Sequence, residues 1–366
     1  MKNPNIAITK LVENISISAW VIDDDQNIVY MNKPMSDLFG DLSGQKTTVI
    51  YGCGSFEVVE SDEEEEEEEE GISEVMIADV PFRRISATAD LNEEGKYTVE
   101  LFEDISEHKL IHTNMTRALS RVRSETRTAK TIQHSILPID DTYWGTIAFS
   151  SKYVPAEDLS GDFYDILKLS DDEYLIYMAD VMGHGIQTAL LTVYMRERVR
   201  VNIEAALEGT DTLLSKLVHD YNTIDIDGVM YITMVLCKYS KSKRELSISN
   251  AGHGCSPLIV RNNGRTEIIP IRGMPICTLA EDIDYDEEIV SINPGDRLIL
   301  YTDGVVEEID STTGRSLGAE GIRELAEKHH AYDGAWLSST IIDKSDRFAL
   351  IRAKDDRSVI VADILS

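Results

Sequence analysis

Residues 174–185 read Tyr-Leu-Ile-Tyr-Met-Ala-Asp-Val-Met-Gly-His-Gly, an apolar run that ends at Asp180 and is followed by a glycine-rich turn. An apolar run of this length, bounded by turn residues, predicts a strand of the hydrophobic core. An aspartate at the end of such a strand lies at the edge of the sheet. Asp180 is therefore placed to form a site with any other carboxylate that reaches the same edge.

Further acidic positions lie beside glycine or a second acid at the start or end of a predicted strand. They are Asp162, Asp303 and the adjacent Asp355 and Asp356. Each alone is more typical of a turn or a helix N-cap. Together, carboxylates that converge on one sheet edge without His or Cys ligands favour a hard ion such as Mg²⁺ or Mn²⁺.

The chemistry expected of such a cluster is hydrolysis. Two metals bridged by a carboxylate lower the pKa of a shared water and orient it for in-line attack on phosphorus. We therefore expect the catalytic group to be a water activated by metals at this sheet edge. Because Gly183 and Gly185 let the backbone approach an ion, the carbonyl oxygen of Val181 is a further candidate ligand.

The region beyond Pro138 predicts many strands and four helices in separate runs, which is typical of an α+β layered domain rather than a parallel βαβ sheet. Predicted strands cover 146–154, 174–182, 231–239, 245–250, 257–261, 266–271, 287–292 and 297–302, with a final strand from Ser358. Predicted helices cover 186–207, 211–222, 319–329 and 335–349.

The N-terminal part has the pattern of a small sensory domain. Two strand patterns, a turn and an Asn-x-Pro helix start occupy Ser18 to Gly40, and Tyr97–Lys109 predicts a last strand followed by Asp-Ile-Ser-Glu. These segments resemble the beginning and end of a PAS domain, so we expect residues 1–105 to be one. The Glu63–Glu70 run predicts a solvated insertion. The PAS ligand is unknown, and Cys53 is one candidate contact.

Residues 106–137 predict a helical linker without Gly or Pro. Its apolar positions alternate in spacings of four and three, with polar interruptions, as in a heptad seam. The seam comprises Met115, Leu119, Val122, Thr126, Ala129, Gln133 and Ile136. We expect a homodimer through the PAS domain and this helix, the alternative being an amphipathic helix packed on its own domain.

Length and charge limit the classes of function. A chain of 366 residues fits two domains, and a net charge of −31 argues against nucleic-acid binding because phosphates would be repelled. No apolar run is long enough for a membrane span or signal peptide, so we expect no membrane partner and a cytoplasmic protein. The cysteines show no disulfide or zinc-ligand spacing and predict packing residues.

Five acidic or glycine-rich motifs follow one another along residues 138–366: Gly161-Asp162-Phe-Tyr-Asp, Ala179-Asp180-Val-x-Gly-His-Gly, Asn250-Ala-Gly-His253, Tyr301-Thr-Asp303-Gly and Asp355-Asp356-Arg-Ser358. In this order they resemble the bacterial SpoIIE-like branch of the metal-dependent (PPM, type 2C) serine/threonine phosphatases. The resemblance implies an α/β/β/α sandwich of two antiparallel sheets flanked by helices, with two or more Mn²⁺ or Mg²⁺ ions at its edge.

By the same resemblance, Asp162 and Asp180 hold the bridged metals, Val181 contributes its backbone oxygen, and Asp303 and Asp355 complete the second metal's ligands. Asp356 is either a ligand or a residue that supports one. The implied reaction is attack of metal-activated water on phosphoserine or phosphothreonine. The implied substrate is a phosphorylated regulatory protein of the STAS type, an anti-sigma-factor antagonist.

Other classes of protein share parts of these patterns. Ser160-Gly-Asp-Phe163 is similar to the Gly-Gly-Asp-Glu-Phe sequence of diguanylate cyclases, but the acid after Asp162 is missing. A sensor histidine kinase would use His108 or His112 as phosphoacceptor. Its ATP-binding glycine box reads Asp-x-Gly-x-Gly, however, whereas residues 180–185 have one more residue between the aspartate and the first glycine. An inactive phosphatase-like scaffold is the non-enzymatic alternative.

Overall fold

The computed structural model describes most of the chain, in two compact units of residues 1–121 and 122–366. The described residues are 6–48, 56–58, 71–77, 80–90, 95–138, 142–224, 230–278, 283–307, 309, 315–347 and 355–365. Cys53 and the Glu63–Glu70 run fall outside them, so the expectations for both stay predictions. Within the described residues no helix has the length and apolarity needed to cross a membrane.

In its described residues, the first unit is a six-stranded antiparallel sheet with two short helices. Its elements are α1 (Ile6–Glu13), β1 (Ser18–Asp23), β2 (Ile28–Met31), α2 (Lys33–Phe39), β3 (Phe56–Val58), β4 (Ile72–Ile77), β5 (Val80–Asp90) and β6 (Lys96–Asp104), in the sheet order β2-β1-β6-β5-β4-β3. Asn32 caps α2, because its Oδ1 accepts a hydrogen bond from the Met35 amide at 3.1 Å. The two strands, the Asn-x-Pro helix and the last strand predicted here are present.

One helix, α3 (Ser106–Ile136), continues from the first unit into the second. The carboxylate of Asp104 accepts a hydrogen bond from the Ser106 amide at 2.8 Å and so fixes the helix start. Met115, Leu119 and Val122 of the seam face solvent, whereas Thr126, Ala129 and Ile136 are half-buried and Gln133 is buried. The dimeric coiled coil therefore stays a prediction, with an exposed apolar stripe at Met115, Leu119 and Val122 in its favour.

The second unit contains two six-stranded antiparallel sheets. Its strands are β7 (Thr142–Tyr143), β8 (Ile147–Val154), β9 (Asp162–Lys168), β10 (Glu173–Val181), β11 (Tyr231–Ser240), β12 (Glu245–Ala251), β13 (Leu258–Val260), β14 (Thr266–Ile268), β15 (Ile276–Cys277), β16 (Glu288–Ser291), β17 (Arg297–Tyr301) and β18 (Arg357–Ile364). One sheet runs β16-β12-β11-β10-β9, with β15 paired to β11, and the other runs β14-β13-β17-β18-β8-β7.

Helices cover the outer face of each sheet. Next to the first lie α4 (Ile186–Val201), α5 (Ile203–Glu208) and α6 (Thr210–Asn222), and next to the second lie α7 (Asp303–Val306), α8 (Gly318–Lys328) and α9 (Gly334–Asp346). Separate apolar clusters fill the space between the sheets and the space under each helical layer. The predicted α+β class and the four-layer α/β/β/α sandwich are confirmed.

Three local predictions were wrong in detail. The helix expected over 186–207 breaks at Asn202, whose backbone leaves the helical conformation between α4 and α5. The strand expected over 266–271 ends at Ile268. The range of β9 was not predicted, although Asp162 was placed at a strand end, because the segment mixes the acids Asp162 and Asp165 with apolar residues and both acids are buried. Asp165 is accommodated by ion pairs with arginines of α4.

Candidate metal centre

The predicted acidic residues converge from both sheets. Asp162 begins β9 and lies directly opposite Asp180 in the antiparallel register of β9 and β10. Asp303 follows the end of β17, and Asp355 stands just before β18, in the other sheet. Burial raises the pKa of Asp180 to about 7, with the charges of Asp303, Asp355 and Asp356 adding to the effect. The acids therefore lie within electrostatic reach of one another.

Asp162 is the most buried member, with 2% of its surface exposed. Its Oδ2 accepts hydrogen bonds from Thr302 Oγ1 at 2.8 Å and Ser358 Oγ at 2.6 Å. Burial and the charge of Asp180 hold its pKa well above the usual range, although the two hydroxyls act in the opposite direction. A buried carboxylate with only neutral donors favours either a proton or a bound cation.

The carbonyl oxygen of Val181, the further candidate ligand, lies beside the Asp180 carboxylate. A side chain at Gly161 would begin 2.4 Å from the Val181 carbonyl oxygen and 2.7 Å from Asp180 Oδ1. Both oxygens thus face the same backbone position, and only a glycine leaves them room. Gly161 is required here for close approach.

Asp303 and Asp355 each use one oxygen locally and keep the other. Oδ1 of Asp303 accepts from the Gly304 amide at 2.9 Å, and Oδ1 of Asp355 accepts from the Asp356 amide at 2.8 Å. Burial raises the pKa of Asp355, and the neighbouring charges of Asp303 and Asp356 add to the increase. Within the described residues, the second oxygen of each side chain has no hydrogen-bond donor and is available to a cation.

Asp356 differs, because both of its oxygens hold the backbone. Oδ1 accepts from the Ala156 amide and Oδ2 from the Gly161 amide, each at 2.8 Å. Gly304 also packs on its carbonyl oxygen, which a side chain at 304 would meet at 2.1 Å. Of the two roles considered for Asp356, this arrangement favours support of the loop that carries Gly161 over ligation of an ion.

The two histidines of the motifs have different environments. His253 is buried, its Nε2 lies 3.1 Å from the Tyr301 carbonyl oxygen, and burial lowers its pKa, so its role is a structural hydrogen bond. His184 is open to solvent, with 81% of its side chain exposed, and lies 3.8 Å from Glu157. Among the described residues, a hydrogen bond that fixes the ring is thus present at His253 and absent at His184.

The donor set fits a divalent metal. In the described part of the chain, none of Asp162, Asp180, Asp303 and Asp355 forms an ion pair with Lys, Arg or His. No three His, Cys, Asp or Glu side chains among those residues surround a point closely enough to hold an ion alone. Mg²⁺ and similar ions keep several waters and take only one or two carboxylates each, so an ion bound here would need few protein ligands.

Comparisons with known proteins identify the family of the chain. Residues 170–365 match the family of Stage II sporulation protein E (SpoIIE), and residues 8–71 match the PAS domain. The chain belongs to the SpoIIE family. Its second unit is a phosphatase domain of the PP2C type and its first unit is a PAS domain, as predicted. The matched span contains Asp180, Asp303 and Asp355, whereas Asp162 precedes it.

The relatives with known names share about a quarter of their residues with this chain in the aligned regions. Phosphoserine phosphatase RsbU of Bacillus subtilis (strain 168) is 24% identical over 253 residues, which are 68% of this chain and 73% of RsbU. Phosphoserine phosphatase RsbP of the same strain is 27% identical over 163 residues, 44% of this chain and 40% of RsbP. The SiaA-PP2C domain of Pseudomonas aeruginosa shares the fold, with a TM-score of 0.59, 20% identity, and coverage of 67% of this chain and 97% of that domain.

Sequence reasoning missed the hydroxyls of Thr302 and Ser358 that hold Asp162. A signal was available, because Ser358 shares a strand face with Ile360, Ala362 and Ile364, all in the core between the sheets. A hydroxyl on an otherwise apolar face indicates a buried hydrogen-bond partner.

The raised pKa of Asp180 predicts a pH-dependent metal affinity. In the folded chain the Asp180 carboxyl is protonated below about pH 7, and a cation must displace this proton. In the unfolded chain the same carboxyl is protonated only below its lower, ordinary pKa. This proton stabilises the metal-free fold as pH falls through 7. We expect the increase in unfolding temperature caused by Mn²⁺ to be larger at about pH 8 than at about pH 6.

The measurement is thermal unfolding of the full chain with and without Mn²⁺ at both pH values. Asp343→Asn, an exposed aspartate on α9, is the control and should behave as wild type. An equal or larger increase at the lower pH would contradict the assignment of Asp180.

Proposed function

We propose that this protein removes phosphate from phosphoserine or phosphothreonine on a regulatory protein, in a reaction that requires Mn²⁺ or Mg²⁺. The observation that carries the proposal is the set of carboxylates from two sheets that meet at one edge without a cationic side chain among the described residues. Membership of the SpoIIE family and the named phosphoserine phosphatases among its relatives support it.

The protein's own residues would bind and orient the reactants. Asp162 and Asp180, with the Val181 carbonyl oxygen, would hold the ions from one sheet, and Asp303 and Asp355 from the other. Bound divalent metals supply a water of lowered pKa and neutralise charge on the phosphoryl group. The buried histidine of the motifs, His253, offers no alternative to a metal-bound water as the base. Its ring nitrogen is engaged by the Tyr301 carbonyl oxygen.

The substrate we propose is a phosphorylated antagonist of an anti-sigma factor, of the STAS type. Support comes from the resemblance to the SpoIIE-like branch, which implies such a substrate, and from the phosphoserine phosphatases among the relatives. The net charge of −31 argues against a nucleic-acid substrate.

The rival functions fit the fold less well. A diguanylate cyclase would leave Asp303 and Asp355 without a role, although they share an edge with Asp180. An inactive scaffold would have no need to keep four unpaired acids together, since like charges in a buried site oppose folding. Phosphoprotein hydrolysis uses all four.

The catalytic proposal predicts the loss of activity in Asp180→Asn. The amide keeps the size of the side chain but removes the charge that binds the ion, so Mn²⁺-dependent phosphate release from a phosphoserine protein should fall more than about 100-fold. Consumption of GTP and ATP, measured in parallel, should be absent.

Asp343→Asn provides the matched control, because it makes the same change on an exposed helix. Wild type without phosphatase activity, or Asp180→Asn with full activity, would overturn the proposal.

We also propose that α3 transmits the state of the PAS domain to this centre. Near its start, Lys109 forms an ion pair with Glu74 of the first unit. Near its end, Gln133 is 2% exposed and forms two hydrogen bonds with the backbone of Ser160. Its side-chain nitrogen donates to the Ser160 carbonyl oxygen at 2.7 Å, and its side-chain oxygen accepts from the Ser160 backbone amide at 3.1 Å. Ser160 directly precedes Gly161, so movement of α3 would act on the loop of the metal centre.

Regulation through a dimer predicts an effect of Leu119→Glu. Leu119 lies in the apolar stripe of α3 and is 47% exposed, so a charge there should disfavour pairing of two helices and change phosphatase activity. Ser120→Glu adds the same charge one residue away, outside the seam. Sedimentation velocity and phosphate release on the full chain would separate the two. A monomeric wild type, or a Leu119→Glu chain that matches it in both measurements, would contradict this role of α3.

A further inference from the structure

Two buried hydroxyls connect the halves of the metal centre. Thr302 lies at the end of β17 and Ser358 at the start of β18, in one sheet, while the Asp162 carboxylate that they bind belongs to β9 of the other sheet. Both residues are fully buried. We call Thr302 and Ser358 the hydroxyl clamp.

Backbone bonds join the two residues of the clamp. The Ser358 amide donates to Thr302 Oγ1 at 3.0 Å, and the Thr302 amide donates to the Ser358 carbonyl oxygen at 3.1 Å. The single hydrogen of the Thr302 hydroxyl has two acceptors in reach, Asp162 Oδ2 at 2.8 Å and the Asp356 carbonyl oxygen at 3.4 Å, and the shorter distance favours Asp162. The Ser358 hydroxyl donates to the same carboxylate oxygen at 2.6 Å. The clamp is thus a linked pair of donors directed at one atom.

The clamp also occupies only one of the two Asp162 oxygens. Oδ2 receives both hydroxyls, and Oδ1 has no hydrogen-bond donor among the described residues. Thr302 directly precedes Asp303, and Ser358 follows Asp355 by three positions. The residues that hold Asp162 are therefore continuous in the chain with the acids of the opposite sheet.

We propose that Thr302 and Ser358 are positioning residues that set the spacing between the two halves of the metal centre and present Oδ1 of Asp162 to the ion. The inference rests on the proposed function, because it concerns the same metal centre. A purely structural staple between two sheets would affect stability, whereas a positioning pair affects metal affinity in a chain that is still folded. Groups that orient a metal ligand typically contribute about 10- to 100-fold to affinity.

The test compares Mn²⁺ binding, by calorimetric titration of the full chain, in Thr302→Val, Ser358→Ala and Thr302→Ser. We expect the dissociation constant for Mn²⁺ to rise about 10- to 100-fold in Thr302→Val and Ser358→Ala, and to stay near the wild-type value in Thr302→Ser, which keeps the hydroxyl. Phosphate release should recover, at least in part, at high Mn²⁺ concentration.

Thr210→Val is the matched control. Thr210 is also fully buried in the second unit, and its hydroxyl also bonds a carboxylate, Glu287 Oε1 at 2.9 Å, away from the metal centre. It should bind Mn²⁺ as wild type does. Thermal unfolding without metal reports whether each variant is folded. If Thr302→Val does not fold, Ser358→Ala still tests the proposal, because it keeps the Thr302 hydroxyl that accepts the hydrogen bond of the amide at position 358.

The outcomes separate the two proposals. Wild-type affinity in a folded Ser358→Ala chain, or an equal loss in Thr210→Val, would overturn the positioning role and leave the metal centre intact. A wild-type chain that binds no Mn²⁺ would overturn the metal centre, and the positioning role with it.

Discussion

The phosphatase unit depends on the burial of the Asp162 carboxylate between two sheets without a cationic side chain beside it. Burying an ionised carboxylate is unfavourable unless hydrogen bonds and an opposite charge compensate it. Hydroxyls from the second sheet provide the hydrogen bonds, and no Lys, Arg or His within the described residues provides the charge. A divalent cation would complete the balance, which links the stability of the sandwich to the chemistry at its edge.

The same constraint explains the distribution of roles among the aspartates. Asp162 and Asp180 face each other across β9 and β10, and the glycine at 161 admits the Val181 carbonyl oxygen beside them. Both carboxylate oxygens of Asp356 accept hydrogen bonds from backbone amides, and these bonds fix the loop that carries Gly161. Gln133 reaches that loop from α3, through Ser160. One loop thus receives the metal ligands on one side and the end of the linker helix on the other.

Much of this could be predicted from the sequence, for identifiable reasons. Long apolar runs such as 174–179 and 298–301 have a clear strand pattern, and acids at their ends mark the sheet edge. The break at Asn202 and the strand β9 could not be predicted, because tertiary contacts decide them, including the arginines of α4 that bind the buried Asp165. Which oxygen of Asp162 is bonded, and by which hydroxyls, depends on the juxtaposition of two sheets that are distant in sequence.

The most direct test of the metal centre is X-ray diffraction at the manganese absorption edge from crystals of the full chain grown with Mn²⁺. The account predicts anomalous peaks within coordination distance of Asp162 and Asp180, with a carboxylate of Asp303 or Asp355 on the opposite side. Ordered crystals without a peak at these residues, or with manganese bound only elsewhere, would contradict it.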